Sequence, residues 1–509
     1  MGADPLPIYR LTARRTFPNP ARAALILLIL AGSAARLAPL TANRFHPDEA
    51  LFATLARLIA SGQDTLLAHT TLLVDKPPLF YYSLALAVIS FGAREIALRM
   101  PGELMSLISV ALTARLAWRL WRSWPATLIA TAIAALSPFT ILFSPTVFSD
   151  PQYVFWLMSA LVAAAERRWG WAGLLGGLAL ASKQSAAFFL PLVVLIGLSR
   201  ENLTGSWRRS LLPGLIRIAA GFGLILVAIT VWDRLRAPAP SFWTAAVDAN
   251  NPGRLVRSDE VWPRASAWLS WASVIGGLPA LDLGLAGLAM CAAPLDAIRH
   301  RQSRRAAATL LITAALLAYG AVLWFVAFPL LDRYLLPAVY LVALLAGRGA
   351  DLLLEIVRER TQRVLVRRAL APAALIGLVV AFAPGSIRAA GSGYPVGGDH
   401  GAYAGIDRAA AYLSARPWGT VVYSHDLAWP LDFYLFDAYV YRAYFLAPGP
   451  LANDLRAFGG SHDERYVILS GTESVEEIAQ AAGSAGFRLT PIPLGDGSPL
   501  KFYRLDRVP

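Results

Sequence analysis

Charge is scarce in these 509 residues: 16% are charged, against 56% hydrophobic. Soluble domains carry about 25% charged residues, and the mean hydropathy here is +0.51. Cysteine is scarcer still. Cys291 stands alone, which excludes an intramolecular disulfide and a cysteine-based zinc site. No internal repeat is evident. Lysine is almost missing: of 46 basic residues only Lys76, Lys183 and Lys501 are lysines, leaving 43 arginines. The net charge of +13 raises the question of nucleic acid, but its distribution answers it. From Gly391 onward 13 acidic residues face 9 basic ones, so the tail is about −4 and the remainder about +17. Basic residues of the remainder fill short gaps between apolar runs, the pattern of cytoplasmic loops in membrane proteins. No nucleic-acid partner is expected.

What the chain has in abundance is long apolar runs. They lie at 22–40, 97–121, 125–144, 151–165, 170–182, 184–199, 211–232, 267–290, 307–330, 335–350 and 370–386. Several exceed the roughly 18 residues that mark a spanning helix, so the chain reads as a polytopic α-helical membrane protein. The first run follows Arg14, Arg15 and Arg22 without a convincing cleavage site and reads as an uncleaved anchor. A further run, PPLFYYSLALAVISFG at 77–92, is short for a span, and Pro77 with Pro78 opens it like a first helical turn. The basic gaps at 115–124, 166–170, 199–210, 298–305 and 358–368 decide its place. With the N-terminus inside and 77–92 in the outer interface, every gap is cytoplasmic; counting 77–92 as a span puts them all outside. The expectation is about 11 spans, with 41–96 as a long outer loop containing interfacial helices. The runs 170–182 and 184–199 are short, and one bent hairpin with Lys183 near its tip is the alternative.

Residues 1–390 thus form a membrane domain, and 391–509 change character. YAGIDRAAAYLSARP and ESVEEIAQAAGSAGF have helical periodicity, while GTVVYSH, ERYVILS and KFYRL read as strands. This predicts a small extracytoplasmic α/β domain after the linker AAGSGYPVGGDHG. It either recognises an acceptor, covers the site or acts as a stabilising cap. His400, His425 and His462 lie in it at spacings that match no zinc motif and read as unrelated surface histidines.

Four polar clusters meet the outer face under this topology: His46-Pro47-Asp48-Glu49, Asp75-Lys76-Pro77-Pro78, Ser149-Asp150-Pro151, and Arg333 in LLDRYLLP. Lys183 joins them if its hairpin tips outward. Asp48 and Glu49 either serve a reaction centre or favour the start of the helix ALFATLARLIA. Asp150 either faces a polar cavity, as carboxylates near membrane interiors do, or caps the helix that begins at Pro151. Lys76 either meets an anion in a tight site, which suits a compact ammonium, or snorkels at the membrane edge. Together the clusters suggest carboxylates that activate a nucleophile and cations that receive negative charge. A lipid-phosphate donor fits that set, since nucleotide-activated sugars are scarce outside the cytoplasm.

The order of motifs carries a resemblance. An acidic pair after the first span, then DKPPLFYY, ALRMPGEL, FSDPQYVF, ASKQSA and DRYLLPAVY, resembles polyprenyl-phosphate-sugar-dependent glycosyltransferases of GT-C architecture. The protein O-mannosyltransferases and lipid A aminoarabinose transferases are the relevant branches, over roughly residues 20–350. The resemblance implies an inverting transfer of a sugar from a polyprenyl-phosphate carrier to a hydroxyl of a lipid, glycan or protein acceptor. It implies Asp48 as base or base-orienting group with Glu49 beside it, and Asp150 as a further acidic group at the site. Lys76 would hold the lipid phosphate, with Asp75 where the family more often has glutamate. Arg99 and Lys183 match recurrent family positions and are taken with the substrate-binding set, Arg333 would be a further phosphate or sugar contact, and Arg254 and Arg257 are phosphate candidates by location only. No cofactor is required by the resemblance, although carboxylates also suit magnesium or manganese. Arginine- and alanine-rich usage fits a bacterial inner (plasma) membrane with the site facing the periplasm or exterior. A membrane transporter or lipid flippase is the competing class, and would need paired repeats and charges near mid-membrane.

Overall fold

A helix rises 1.5 Å per residue, so about 20 apolar residues cross the hydrocarbon core. In the computed structural model, which describes residues 20–200, 211–250, 253–300, 303–460 and 463–508, six helices are long and apolar enough to do so. They are Pro20–Thr41, Glu95–Trp121, Leu212–Leu235, Pro279–Arg299, Arg304–Phe325 and Val364–Ala390. Arg14, Arg15, His462 and parts of the basic gaps 199–210 and 298–305 lie outside the described residues.

The first part of the chain builds the bundle around helices α1 (Pro20–Leu37), α2 (Pro47–Ala60), α3 (Pro78–Phe91), α4 (Glu95–Trp121), α5 (Trp124–Leu136), α6 (Pro138–Phe143), α7 (Ser149–Ala165), α8 (Trp169–Ser182) and α9 (Leu190–Ser199). Among these, α5 and α7 are buried almost all round, as a helix without a polar face must be. The run 125–144 is not one helix. Pro138 has no N–H for the Ala134 carbonyl, so α5 stops at Leu136 and α6 starts afresh. Arg36, fully buried in α1, repairs the break: its guanidinium donates to Ala134 O at 2.7 Å, Ala135 O at 2.6 Å and Thr140 Oγ1 at 2.8 Å. Gly32 allows this approach, since a Cβ there would sit 2.8 Å from Ala135 Cβ.

The expected run 267–290 is also interrupted. Helix Val261–Ala272 ends, and Gly277, at φ +75, turns the chain into helix Pro279–Arg299. The stretch 233–266, expected as an outer loop, contains the helix Phe242–Asn250 and the start of Val261–Ala272. The loop 41–96 holds α2 and α3. At the bundle end away from α2, Arg115 and Arg119 bind Glu166, and Arg348 binds Asp296 and Asp351 with all three side chains buried.

The C-terminal part is a five-stranded sheet of order β2-β1-β3-β5-β4. Its strands are β1 (Val421–Ser424), β2 (Tyr441–Tyr444), β3 (Arg465–Leu469), β4 (Phe487–Pro491) and β5 (Lys501–Arg507). β1 is parallel to β2 and β3, and β5 is antiparallel to β3 and β4. Separate apolar cores cover its faces, one with helices Ile406–Ser414 and Ala428–Tyr434, the other with Pro448–Phe458 and Val475–Ser484. The domain rests on α2. Phe433 meets Phe45 edge-on at 4.9 Å, and Arg57 pairs with Asp437 at 2.5 Å while donating to Phe433 O at 2.8 Å.

Candidate active site

The charged motifs sit where helices begin or end, and the fold brings those ends together. Asp48 lies in the first turn of α2 and Asp150 in the first turn of α7, where the positive end of the helix dipole favours a carboxylate. α8 stops at Lys183, whose backbone is extended at φ −158. Lys76 precedes the Pro77-Pro78 start of α3, and Arg333 lies on the turn Asp332–Leu335 that leads into helix Leu336–Arg360.

Three carboxylates meet three cations there. Asp48 Oδ2 accepts from Arg333 Nη2 at 2.8 Å, Asp150 Oδ1 accepts from Lys183 Nζ at 2.6 Å, and Asp75 pairs with its neighbour Lys76. Asp75, Lys76, Asp150, Lys183 and Arg333 are buried; Asp48 is the most open, with 26% of its side chain exposed. Lys76, Lys183 and Arg333 line one cavity of about 300 Å³. Its remaining polar lining is Gln184, Ser185, Asn250, Tyr319 and Tyr334, and its apolar wall includes Phe188, Trp243, Leu323 and Phe328. Rings steady the cations: Arg333 lies 4.6 Å over Phe148, Lys183 5.0 Å over Tyr334 and Lys76 5.5 Å over Phe52. One oxygen each of Asp75 and Asp150 is buried without a hydrogen-bond partner, so polar capacity remains for a ligand.

Burial pushes the Asp48 carboxyl up, but Arg333 and then His46 overcome this and hold it below its ordinary value. Burial acts on Arg333 in the opposite sense, and Asp48 with Asp150 keeps its pKa raised. Both groups are therefore charged at neutral pH.

Glu49 and Arg99 have other roles in the geometry. His46, not Asp48, caps α2: its Nδ1 accepts the Asp48 N–H at 3.2 Å, and Glu49 Oε2 returns to the His46 N–H at 2.9 Å. Glu49 Oε1 accepts the Val147 N–H at 2.6 Å, which ties α2 to the approach of α7. Its burial raises the carboxyl to about 7, against the pull of Arg99 and these two N–H groups. Arg99 donates to Leu40 O at 2.9 Å and Arg44 O at 3.0 Å and lines a different cavity, between α4 and the sheet domain. Arg254 is occupied by Glu260 at 2.5 Å, and Arg257 starts the turn Ser258–Glu260. Neither lines the site cavity.

Asn250 is the group that sequence reasoning passed over. Its Nδ2 donates to Asp75 Oδ2 at 3.4 Å and its Oδ1 accepts from Tyr334 OH at 3.4 Å, so it bridges two site elements. Gln184 Nε2 donates to Asp75 O at 2.6 Å. Gln184 and Tyr334 sit inside the quoted motifs ASKQSA and DRYLLPAVY, whereas Asn250 belongs to a stretch with no motif.

Known proteins resemble this chain in sequence or in fold. Residues 75–232 match the dolichyl-phosphate-mannose-protein mannosyltransferase family. An undecaprenyl phosphate-alpha-4-amino-4-deoxy-L-arabinose arabinosyl transferase of Pseudomonas aeruginosa is 29% identical over 233 residues, which is 43% of this chain and 41% of the relative. The match therefore spans less than half of that relative's length. The apo structure of ArnT from Cupriavidus metallidurans superposes with a TM-score of 0.65 at 15% identity, over 96% of this chain and 98% of that one. An oligosaccharyltransferase from Archaeoglobus fulgidus superposes with a TM-score of 0.53 at 13% identity, over 96% of this chain and 74% of that one. This chain is a multi-pass membrane protein with the GT-C fold, a helical bundle carrying a small C-terminal sheet domain.

Proposed function

We propose that the protein is an inverting glycosyltransferase that moves a sugar from a polyprenyl-phosphate carrier to an acceptor hydroxyl at the outer face of the inner membrane. The observation that carries this reading is the convergence of Lys76, Lys183 and Arg333 on one cavity walled partly by aromatic and aliphatic side chains. Cations that line an apolar-walled chamber suit a phosphate joined to a prenyl chain and a sugar. The matched relatives bear names that specify undecaprenyl-phosphate and dolichyl-phosphate sugars, in keeping with that chemistry.

In the chain as it stands, each cation is engaged by a carboxylate. A donor phosphate entering the cavity competes for those cations and loosens the carboxylates. Asp48, the most open, then accepts the proton of the acceptor hydroxyl as its oxygen attacks the anomeric carbon. The bond from that carbon to the phosphate oxygen breaks on the opposite side, with oxocarbenium character between. The leaving phosphate keeps the electron pair, and Lys76, Lys183 and Arg333 stabilise its charge in place of a general acid. With its carboxylates compensated by these cations, the reaction requires no divalent metal in this scheme. The orientation rests on the arginine-rich helix ends around Arg115, Arg119, Arg299 and Arg358, opposite the site, which the positive-inside rule assigns to the cytoplasm.

The test incubates purified protein with radiolabelled polyprenyl-phosphate sugars and hydroxyl acceptors. Transfer with inversion, lost in Asp48→Asn, supports the reading. A chain that transfers from none of the donors, or an Asp48→Asn variant as active as the parent, rejects it.

A further inference from the structure

A second polar cluster lies in the sheet domain, where β1 and β3 run side by side and parallel. After β1 the chain enters helix Ala428–Tyr434, where Leu431 packs with Val422 and Ile468 on one face of the sheet. After β3 it enters helix Val475–Ser484, where Ile478 and Ala482 pack with Tyr423 and Val467 on the other face. Adjacent parallel strands whose connections leave on opposite faces open a crevice at their carboxyl ends, the place where open α/β sheets take ligands. His425 and Asp426 directly follow β1, and Ser470 and Glu473 lie in the turn after β3.

The spacing in this crevice fits a small metal ion. His425 Nδ1 is 3.3 Å from Asp426 Oδ1 and 3.8 Å from Glu473 Oε1, and one ligand atom from each residue lies within 4.8 Å of the others. A zinc ion with bonds of about 2.0–2.2 Å separates tetrahedral ligands by roughly 3.3–3.6 Å. Each ligand is also oriented by a contact that spares the atom in question. Glu473 Oε2 accepts the Ser470 N–H at 2.5 Å, and Asp426 Oδ2 accepts from Ser470 Oγ at 3.4 Å. The His425 ring stacks on Phe445 at 5.9 Å and Tyr444 at 6.3 Å. Such outer contacts are how metal ligands are held in place.

Charge points the same way. The carboxylates of the membrane-edge site are each matched by a lysine or arginine. Among the described residues, Asp426 and Glu473 have no ion-pair partner except the His425 imidazole. Nearby Lys501 donates to the Glu473 carbonyl oxygen at 3.2 Å. We propose that His425, Asp426 and Glu473 bind one divalent first-row cation, with zinc the closest fit. One imidazole nitrogen, two carboxylate oxygens and an open side for water suit zinc, whereas calcium takes six to eight oxygens. The bound ion fastens the end of β1 to the turn after β3.

Full-length protein in detergent, stripped with a chelator, is titrated with Zn²⁺ by calorimetry, and Co²⁺ absorption reports the ligand field. One equivalent binds the parent, and His425→Gln and Glu473→Gln each weaken it at least tenfold. Asp426→Asn, at a side chain 47% exposed, does the same while the stripped variant melts with the stripped parent. Binding unchanged in all three variants, or no binding to the parent, overturns the proposal.

Discussion

Residues 48 and 49 both carry a carboxylate at the start of α2, yet successive side chains on a helix diverge by about 100°. That angle sends Asp48 to Arg333 and Glu49 into the contact with Val147. Asp48→Asn is expected to lower sugar transfer about 10²–10⁴-fold, the range of a general base, with expression close to the parent and donor binding no weaker, since Arg333 loses a competing carboxylate; kcat and KM measured separately check this. Under the proposed mechanism Lys76→Ala removes a charged contact to the donor phosphate, worth roughly 1.5–3 kcal/mol. Donor binding should weaken at least tenfold, and an unchanged donor affinity would take Lys76 out of the phosphate site. Glu49 has a different signature, in stability. Its folded pKa, raised by burial to about 7, lies above the ordinary 4.5, so its contribution is present below pH 4.5 and lost as pH rises through about 7. The Glu49→Gln variant should show a smaller fall in melting temperature over that window than the parent, and parallel profiles would contradict the assignment.

At the scale of elements, helix packing depends on small residues at contacts. A Cβ on Gly173 of α8 would overlap the Ile218 carbonyl oxygen in helix Leu212–Leu235. Gly173→Ala is therefore expected to destabilise the bundle by about 1–3 kcal/mol, the usual cost of overpacking, read as a lower melting temperature in detergent. The helices and inner strands were legible because their apolar runs are long or buried. β1 and β3 are wholly buried, and their sequences VVYS and RYVIL stand out. β2 and β4 are the edges of the sheet, mostly exposed or half-buried, and carry Arg442 and a terminal Pro491. Edge strands need little apolar alternation, so nothing marked them in advance. The break inside 267–290 escaped for a related reason: hydropathy continues through Gly276-Gly277 while the backbone turns. The site motifs were visible because each stands beside a helix terminus. Their pairing was not, since Asp48 and Arg333 are 285 residues apart in the chain, and Asn250 is delivered by a loop helix without periodic signal.

On the scale of the whole molecule, the charged groups of the site gather at one end of the bundle, beside α2 and the sheet domain. A transport path would distribute them along the helices. The opposite end carries the arginine clusters, so a tag fused after Val508 should be reached by an impermeant reagent from outside the membrane, and one reached only from the cytoplasm would reverse the orientation. The proposed transfer depends on three cations acting together on one lipid phosphate. Equilibrium binding of polyprenyl phosphate to the detergent-solubilised chain measures this directly. The expected result is one lipid per chain, bound at least tenfold more weakly after Lys76→Ala, Lys183→Ala or Arg333→Ala alone. Equal affinity in the parent and all three variants would contradict it.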